Sequence, residues 1–171
     1  PDNGYHDGQV CDKTIADLKR LAKKKEPFFL ACGFWRPHLP FNAPKKYWDL
    51  YDREKITLAD NQFRPKNAPD QLKGSGELNG QYTAHKGFPD QEAFHRLARH
   101  GYYASVSYVD ALVGKLMQTL VTLELDQNTI IVVWGDHGFH LGEHGFWGKH
   151  NTMHRSVRSP LIIRYPGKKA Q

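Results

Sequence analysis

The chain has 171 residues, of which 39% are hydrophobic and 25% are charged. This composition is that of an ordinary globular domain and excludes a fibrous or low-complexity protein. The formal net charge of +6 favours anionic partners, but basic and aromatic residues are not interleaved as in nucleic-acid binding proteins. No run approaches the roughly 18 apolar residues of a membrane span, and two cysteines are too few for a disulfide framework.

The first predicted elements are a helix and a strand. Apolar residues recur at helical spacing over residues 14–25, and Pro27 then ends the predicted helix. The short apolar run over residues 28–34 predicts a buried strand. A proline on either side of His38 prevents the strand from continuing inside a sheet, so we expect His38 to lie on a loop that leaves the strand's end.

The middle of the chain predicts a long loop, a long helix and a second strand. Residues 54–90 carry many prolines and glycines with little periodicity, which indicates a long surface excursion of the kind that often forms a functional lid. Apolar residues step by three and four from Gln91 to Leu123, which predicts a helix packed on a core. The apolar run over residues 129–134 predicts a buried strand. This alternation is typical of an α/β fold in which helices flank a mostly parallel sheet.

Potential ligands follow the second predicted strand. Asp136 and His137 come directly after it, and Lys149 follows in a loop with several more histidines. An arbitrary Asp-His pair more often caps a turn, but so many ligand-type residues without helical or strand period indicate a functional loop. Ligands gather at the carboxyl ends of strands in open α/β sheets. We therefore expect Asp136, His137 and Lys149 to converge with His38 at one edge of the sheet.

Three stretches of sequence resemble one known family. Gly-Asp-His-Gly, Leu-Gly-Glu-His-Gly and Trp-Gly-Lys-His-Asn, all within residues 135–167, resemble the C-terminal part of the sulfatase catalytic domain of the alkaline phosphatase superfamily. Residues 26–41 and 102–110 resemble the same family, and most closely its iduronate-2-sulfatase-like branch. The matches keep the family's order along the chain. We interpret residues 1–171 as an internal portion of a single sulfatase catalytic domain, truncated at both ends, whose partner is the remainder of the sulfatase chain.

The resemblance implies a role for each of four residues. Asp136 and His137 match two metal-coordinating positions, Lys149 matches the lysine that contacts the sulfate group, and His38 matches the histidine near the scissile oxygen. The family implies calcium as the divalent metal, although an imidazole ligand suits zinc or manganese better. The implied reaction is metal-assisted hydrolysis of a sulfate ester on a small molecule or a sugar. The implied compartment is periplasmic, lysosomal or secreted, which the residues themselves do not reveal.

The family's nucleophile does not occur among these residues. Sulfatases convert the cysteine of a Cys-x-Pro-Ser-Arg motif to formylglycine, and neither Cys11 nor Cys32 is followed by that sequence. The N-terminal Asp-Asp metal pair of the family is missing as well. We expect the formylglycine on a segment that is not present here, and we predict that the 171 residues alone do not hydrolyse sulfate esters.

Three alternative interpretations are compatible with parts of the sequence. A metal-dependent phosphatase or phosphodiesterase of the same superfamily also has Asp-His at a strand end. Its distinguishing nucleophile would lie upstream, and the Leu-Gly-Glu-His-Gly and Trp-Gly-Lys matches favour a sulfatase. Residues 140–144 match the H-x-x-E-H signature of zinc peptidases, but the surrounding glycines disfavour the helix which that motif requires. A non-catalytic protein that interacts through its basic surface would bind no metal at Asp136 and His137.

Overall fold

The computed structural model describes residues 1–82, 84–87 and 90–168. The chain forms two compact units. Unit 1 comprises Pro1–Leu50, Tyr102–Val132 and Ile163–Gln171, and unit 2 comprises Tyr51–Gly101 and Val133–Ile162. Within the described ranges, no helix combines the length and the apolar character that a bilayer crossing requires.

In the described residues, three α-helices precede the strands, and one short α-helix separates the last strand from the other three. The α-helices and strands are α1 His6–Leu21, α2 Lys45–Trp48, α3 Gln91–Thr122, β1 Ile131–Trp134, β2 His140–Leu141, β3 Trp147–Gly148, α4 His154–Val157 and β4 Leu161–Arg164. Single turns of 3-10 helix lie at Asp2–Gly4, Arg53–Lys55, Ala84–Gly87 and Glu143–Gly145, and a π-helical turn lies at Glu77–Gln81. Strand β1 pairs with β4, and β2 pairs antiparallel with β3.

Helix α1 begins well before the predicted start at residue 14. Its first turns bury Asp7, Gly8 and Cys11 rather than aliphatic side chains, and the helical spacing of Ile15 and later residues therefore marks only its second half. Gly8 is required there, because a Cβ atom at this position would lie 2.1 Å from the carbonyl oxygen of Asp2. In this part of the helix, the backbone at Gly8 packs directly on the backbone at Asp2, where an amphipathic helix would pack aliphatic side chains.

The core of unit 1 is aromatic and aliphatic. The rings of Tyr47 and Tyr108 lie 5.3 Å apart, and Cys11 and Leu112 pack beside them without solvent exposure. The buried carboxylate of Asp2 closes one side of this core, and its partners hold the N-terminus. It accepts hydrogen bonds from Lys115 Nζ at 2.6 Å, Lys46 Nζ at 2.7 Å and the Tyr47 hydroxyl at 3.2 Å.

Residues 28–34 are extended, but the prediction of a buried strand there is wrong for the described part of the chain. The side chains alternate between half-buried and exposed positions, and Phe29 is 91% exposed. One face of the segment packs on α1, where the Thr14 hydroxyl donates to Cys32 Sγ at 3.2 Å. No described residue pairs with the backbone of this segment as a strand. The alternation of its side chains between half-buried and exposed positions is the one strand-like feature that the structure shows.

The second predicted strand is present as β1, but its side chains are not buried. Val132, Val133 and Trp134 of β1 and Ile162 of the paired strand β4 are all exposed. The apolar run gave the strand correctly because β-branched residues favour extended backbone. The predicted burial is not observed, because no described residue covers these side chains.

Two further predictions concern a long helix and a long irregular stretch. The long helix predicted from Gln91 to Leu123 is confirmed as α3, which carries the apolar stripe into buried positions such as Ala104 and Leu112. The excursion predicted over residues 54–90 is mostly irregular and contains three short helical turns. Residues 83, 88 and 89 of that excursion lie outside the described residues.

Candidate active site

The loop after β1 is attached to the segment that precedes β4. The Gly135 amide donates to the Pro160 carbonyl at 3.0 Å, and the Gly138 amide donates to the Ser156 carbonyl at 2.8 Å. A Cβ atom at Gly138 would lie 2.0 Å from the carbonyl oxygen of Arg155, so only glycine fits this position. These two glycines fix the backbone on both sides of the predicted metal ligands, which lie between them.

Asp136 and His137 form a close donor pair in unit 2. His137 Nδ1 lies 2.7 Å from the Gly138 carbonyl oxygen, which is an acceptor and therefore places the ring proton on Nδ1. The Nε2 lone pair then lies on the side of Asp136, with 3.5 Å between Nε2 and Oδ2. The other oxygen of Asp136 accepts the His137 amide at 3.0 Å. The carboxylate thus caps its own turn and still presents one oxygen beside an imidazole nitrogen.

This pair has the chemistry of part of a metal site. Metal bonds to nitrogen and carboxylate oxygen are about 2.0 to 2.2 Å long for zinc, so atoms 3.5 Å apart can share one cation. The Asp136 side chain is 86% exposed, which leaves its oxygen accessible. Within the described ranges, no group of three or more His, Cys, Asp and Glu side chains is arranged around a common point. A complete coordination sphere therefore needs further ligands.

Lys149 follows β3 and forms an ion pair that the sequence did not suggest. Its Nζ lies 3.0 Å from both carboxylate oxygens of Glu77, and the two side chains are only 12% and 13% exposed. Glu77 starts the π-helical turn within the long excursion, 72 residues away in sequence. No local pattern marks Glu77, which stands in a glycine- and serine-rich stretch. Its role depends on tertiary structure alone.

The segment around Glu77 packs closely on the segment around Lys149. Gly148 has a φ of +101°, and a Cβ atom there would lie 2.5 Å from the Cβ atom of Ser75. The Ser75 hydroxyl lies 3.0 Å from His150 Nδ1 and accepts the Glu77 amide at 3.2 Å. Lys149 is therefore flanked on both sides by contacts to the same short piece of the excursion.

His38 belongs to unit 1, where a buried carboxylate organises the turn before it. Asp7 accepts the backbone amides of Trp35 and Arg36, each at 2.9 Å. The Arg36 guanidinium donates to the His38 carbonyl. His38 itself is exposed, and its Nδ1 lies 2.9 Å from the Leu39 carbonyl oxygen, which places the ring proton on Nδ1. Asp7 was missed in the sequence because it lies inside a helix and 29 residues before Arg36.

Two further histidines of the loop lie in short elements of secondary structure. His140 is fully buried on β2, and His144 has a φ of +58° in the 3-10 turn that follows. The H-x-x-E-H sequence therefore does not form a helix, which removes the basis of the zinc peptidase interpretation. Burial lowers the pKa of His140, while the nearby Glu143 carboxylate opposes the shift.

The four predicted residues are thus distributed over both units. Asp136, His137 and Lys149 belong to unit 2, and the first two are adjacent in space. His38 belongs to unit 1. The convergence of all four on one cation and one oxyanion stays a prediction.

Comparison with known proteins identifies the family of the chain. The family model for sulfatases matches residues 1–171. The chain is 36% identical to iduronate 2-sulfatase of Mus musculus over 177 residues, which cover 99% of this chain and 32% of that protein. It is 34% identical to choline-sulfatase of Rhizobium meliloti (strain 1021) over 167 residues, which cover 95% of this chain and 32% of that protein. The chain therefore spans about a third of the length of these relatives.

A solved structure supports the predicted fold class. The phosphonate monoester hydrolase SpPMH from Silicibacter pomeroyi superposes with a TM-score of 0.78 over 98% of this chain and 34% of that protein, at 24% sequence identity. At this identity the likeness concerns the fold, which confirms the α/β prediction of an alkaline-phosphatase-like domain. Family model, sequence relatives and fold agree, and the chain belongs to the sulfatase family.

Proposed function

We propose that this chain provides the cation- and sulfate-binding part of an enzyme that hydrolyses sulfate esters. The observation that carries the proposal is the Asp136–His137 pair, in which a carboxylate oxygen lies 3.5 Å from an imidazole nitrogen whose ring is fixed by a backbone carbonyl. Membership of the sulfatase family over residues 1–171 assigns the reaction class. The substrate is a sulfated small molecule or a sulfated sugar.

The donor set fits a divalent cation. Asp136 supplies an exposed carboxylate oxygen, and His137 supplies Nε2 with its proton held on the opposite nitrogen. This orientation by a hydrogen bond from the second ring nitrogen is typical of histidines that bind metals. A bound divalent cation would supply positive charge to the sulfuryl oxygens. Calcium follows from the family resemblance, while the imidazole favours zinc or manganese on chemical grounds.

The other two predicted residues act on the sulfate ester itself. The Lys149 ammonium is a compact cation suited to a sulfuryl oxygen, and it is held by Glu77. The His38 imidazole holds a proton near the ester oxygen and so helps the alkoxide to leave. The nucleophile is a formylglycine on polypeptide outside these residues, because neither cysteine here has the required motif.

The exposed sheet supports the view that further polypeptide completes this domain. Apolar side chains of β1 and β4 are exposed over consecutive residues, and consecutive side chains of a strand point to opposite faces. Strands that are apolar on both faces are typical of sheets covered by helices on both sides. This agrees with a chain that spans about a third of the length of its relatives.

The proposal is tested in the full-length protein that contains these residues. Purified protein should hydrolyse 4-nitrophenyl sulfate, and Asp136→Asn should lower kcat/KM by about a hundredfold or more, because it weakens charge stabilisation of the transition state. Calcium, zinc and manganese titrations followed by calorimetry should show weaker binding to the same variant. Asp70→Asn, at an exposed position of unit 2, is the matched control.

Two results would contradict the proposal. One is an Asp136→Asn variant that keeps both the cation affinity and the activity of the Asp70→Asn control. The other is clear metal-dependent turnover by the 171 residues alone, which would show that the nucleophile lies within them.

A further inference from the structure

The Lys149–Glu77 ion pair affects how much charge the sulfate-binding lysine can offer to an anion. Both oxygens of Glu77 lie 3.0 Å from Nζ. Since the two side chains are 12% and 13% exposed, water screens the pair only weakly. An oxygen atom that accepts a hydrogen bond from Nζ lies within about 6 Å of the carboxylate, so the carboxylate repels any anion that Lys149 binds.

We propose that Glu77 weakens the binding of doubly charged tetrahedral anions at Lys149 more than the binding of singly charged sulfate esters; the inference rests on the proposed function of Lys149. A sulfate monoester carries one negative charge, whereas inorganic sulfate carries two at neutral pH. Coulomb energy scales with the product of the charges, so the repulsion from Glu77 is twice as large for the dianion. Glu77 therefore weakens binding of the doubly charged product more than binding of the singly charged substrate, which helps the product to leave.

The packing around the ion pair keeps the carboxylate in place. Ser75 lies against Gly148, where even a Cβ atom would not fit, and its hydroxyl contacts both the Glu77 amide and His150 Nδ1. Glu77 is held through its backbone as well as through its ion pair. The structure thus connects the long excursion, in which the sequence shows no catalytic motif, to the charge balance of Lys149.

The test compares two anions that share a sulfate group and differ in charge. Binding of inorganic sulfate and of methyl sulfate to the full-length protein is measured by calorimetry near pH 8. Glu77→Gln should strengthen binding of inorganic sulfate by at least about tenfold, and binding of methyl sulfate by only about the square root of that factor. Glu92→Gln makes the same chemical change at an exposed ion pair with Arg96 and should alter each affinity less than twofold.

Each outcome decides a separate point. Equal changes for both anions in Glu77→Gln, or changes no larger than those of the control, overturn the charge-selection role. If the wild-type protein binds neither anion, the proposed function itself fails. Should Glu77→Gln not fold, Glu77→Met replaces it, because it removes the same charge with a side chain of similar length, and the same unequal changes are expected. Equal changes for the two anions in Glu77→Met overturn the inference.

Discussion

The two units of the molecule bury different chemistry. Unit 1 packs tyrosine, leucine and alanine side chains around α1 and α3, and one of its buried carboxylates, Asp2, has two lysine partners. Unit 2 buries a larger share of polar side chains, namely His95, Arg99, His100, His140, Glu143 and Ser156. The predicted cation ligands and Lys149 belong to unit 2. The comparison teaches that the unit with three of the four predicted site residues has the interior that is energetically harder to maintain.

The largest expected effects come from one glycine in each unit, where a methyl group would meet backbone. Gly8→Ala in unit 1 and Gly138→Ala in unit 2 place a Cβ atom 2.1 and 2.0 Å from a carbonyl oxygen. Each should lower the free energy of unfolding by about 3 kcal/mol or more. Only Gly138→Ala should also weaken cation binding, because its carbonyl orients His137. Urea unfolding and cation titration measure the two effects.

The control for both variants is a glycine at which an added methyl group would meet no neighbouring atom. Gly114→Ala lies in α3, where nothing stands within 4 Å of the added Cβ, and should stabilise the protein by up to about 1 kcal/mol. A loss of less than 1 kcal/mol in Gly138→Ala would show that the loop after β1 can relax, and the comparison with Gly8 would then fail.

A smaller effect is expected from the ion pairs of the two units. Asp2→Asn removes the charge that Lys46 and Lys115 share and should cost about 2 to 3 kcal/mol, at the low end for a buried pair because both lysines are partly exposed. Glu143→Gln in unit 2 should cost about 1 kcal/mol, since Arg99 lies 3.7 Å from the carboxylate. Thermal unfolding of both variants measures the order, and a reversed order would contradict the larger contribution expected from the two ion pairs of Asp2.

As the pH falls, unit 2 should lose stability before unit 1. Burial lowers the pKa of His95 and of His140 below 6.5, so the unfolded chain takes up protons before these folded histidines do, and unit 2 loses stability as pH falls below about 6.5. Burial of Asp2 raises its pKa, but Lys115 and Lys46 outweigh it and lower the pKa to about 2 from 3.8. That contribution, about 2 kcal/mol, is complete above about pH 4 and is lost toward pH 2.

Hydrogen exchange of backbone amides at pH 7, 5 and 3 checks this order. Amides of unit 2 should lose protection first, and those near Asp2 last. Simultaneous loss in both units, or earlier loss around Asp2, would contradict the different buried chemistry as its cause.

The sequence predicted those features that depend on local pattern. The apolar stripe gave α3 nearly to the residue, and the strand-end position of Asp136 and His137 placed them together in one turn. Features that depend on distant contacts were not predictable. The start of α1 rests on a backbone approach at Gly8, and the ion pair of Lys149 joins residues 72 positions apart. Periodicity shows which face of a helix or strand is apolar, but it does not show which residues cover that face.

The bare apolar surface of β1 and β4 has a consequence for how the protein is made in a cell. Trp134, Leu161 and Ile162 are more than half exposed, and paired strands with such side chains recruit other strands readily. Newly synthesised chains must keep this surface away from one another until neighbouring polypeptide covers it. The two strands that flank the loop with Asp136 and His137 thus determine the demand for chaperones during biosynthesis.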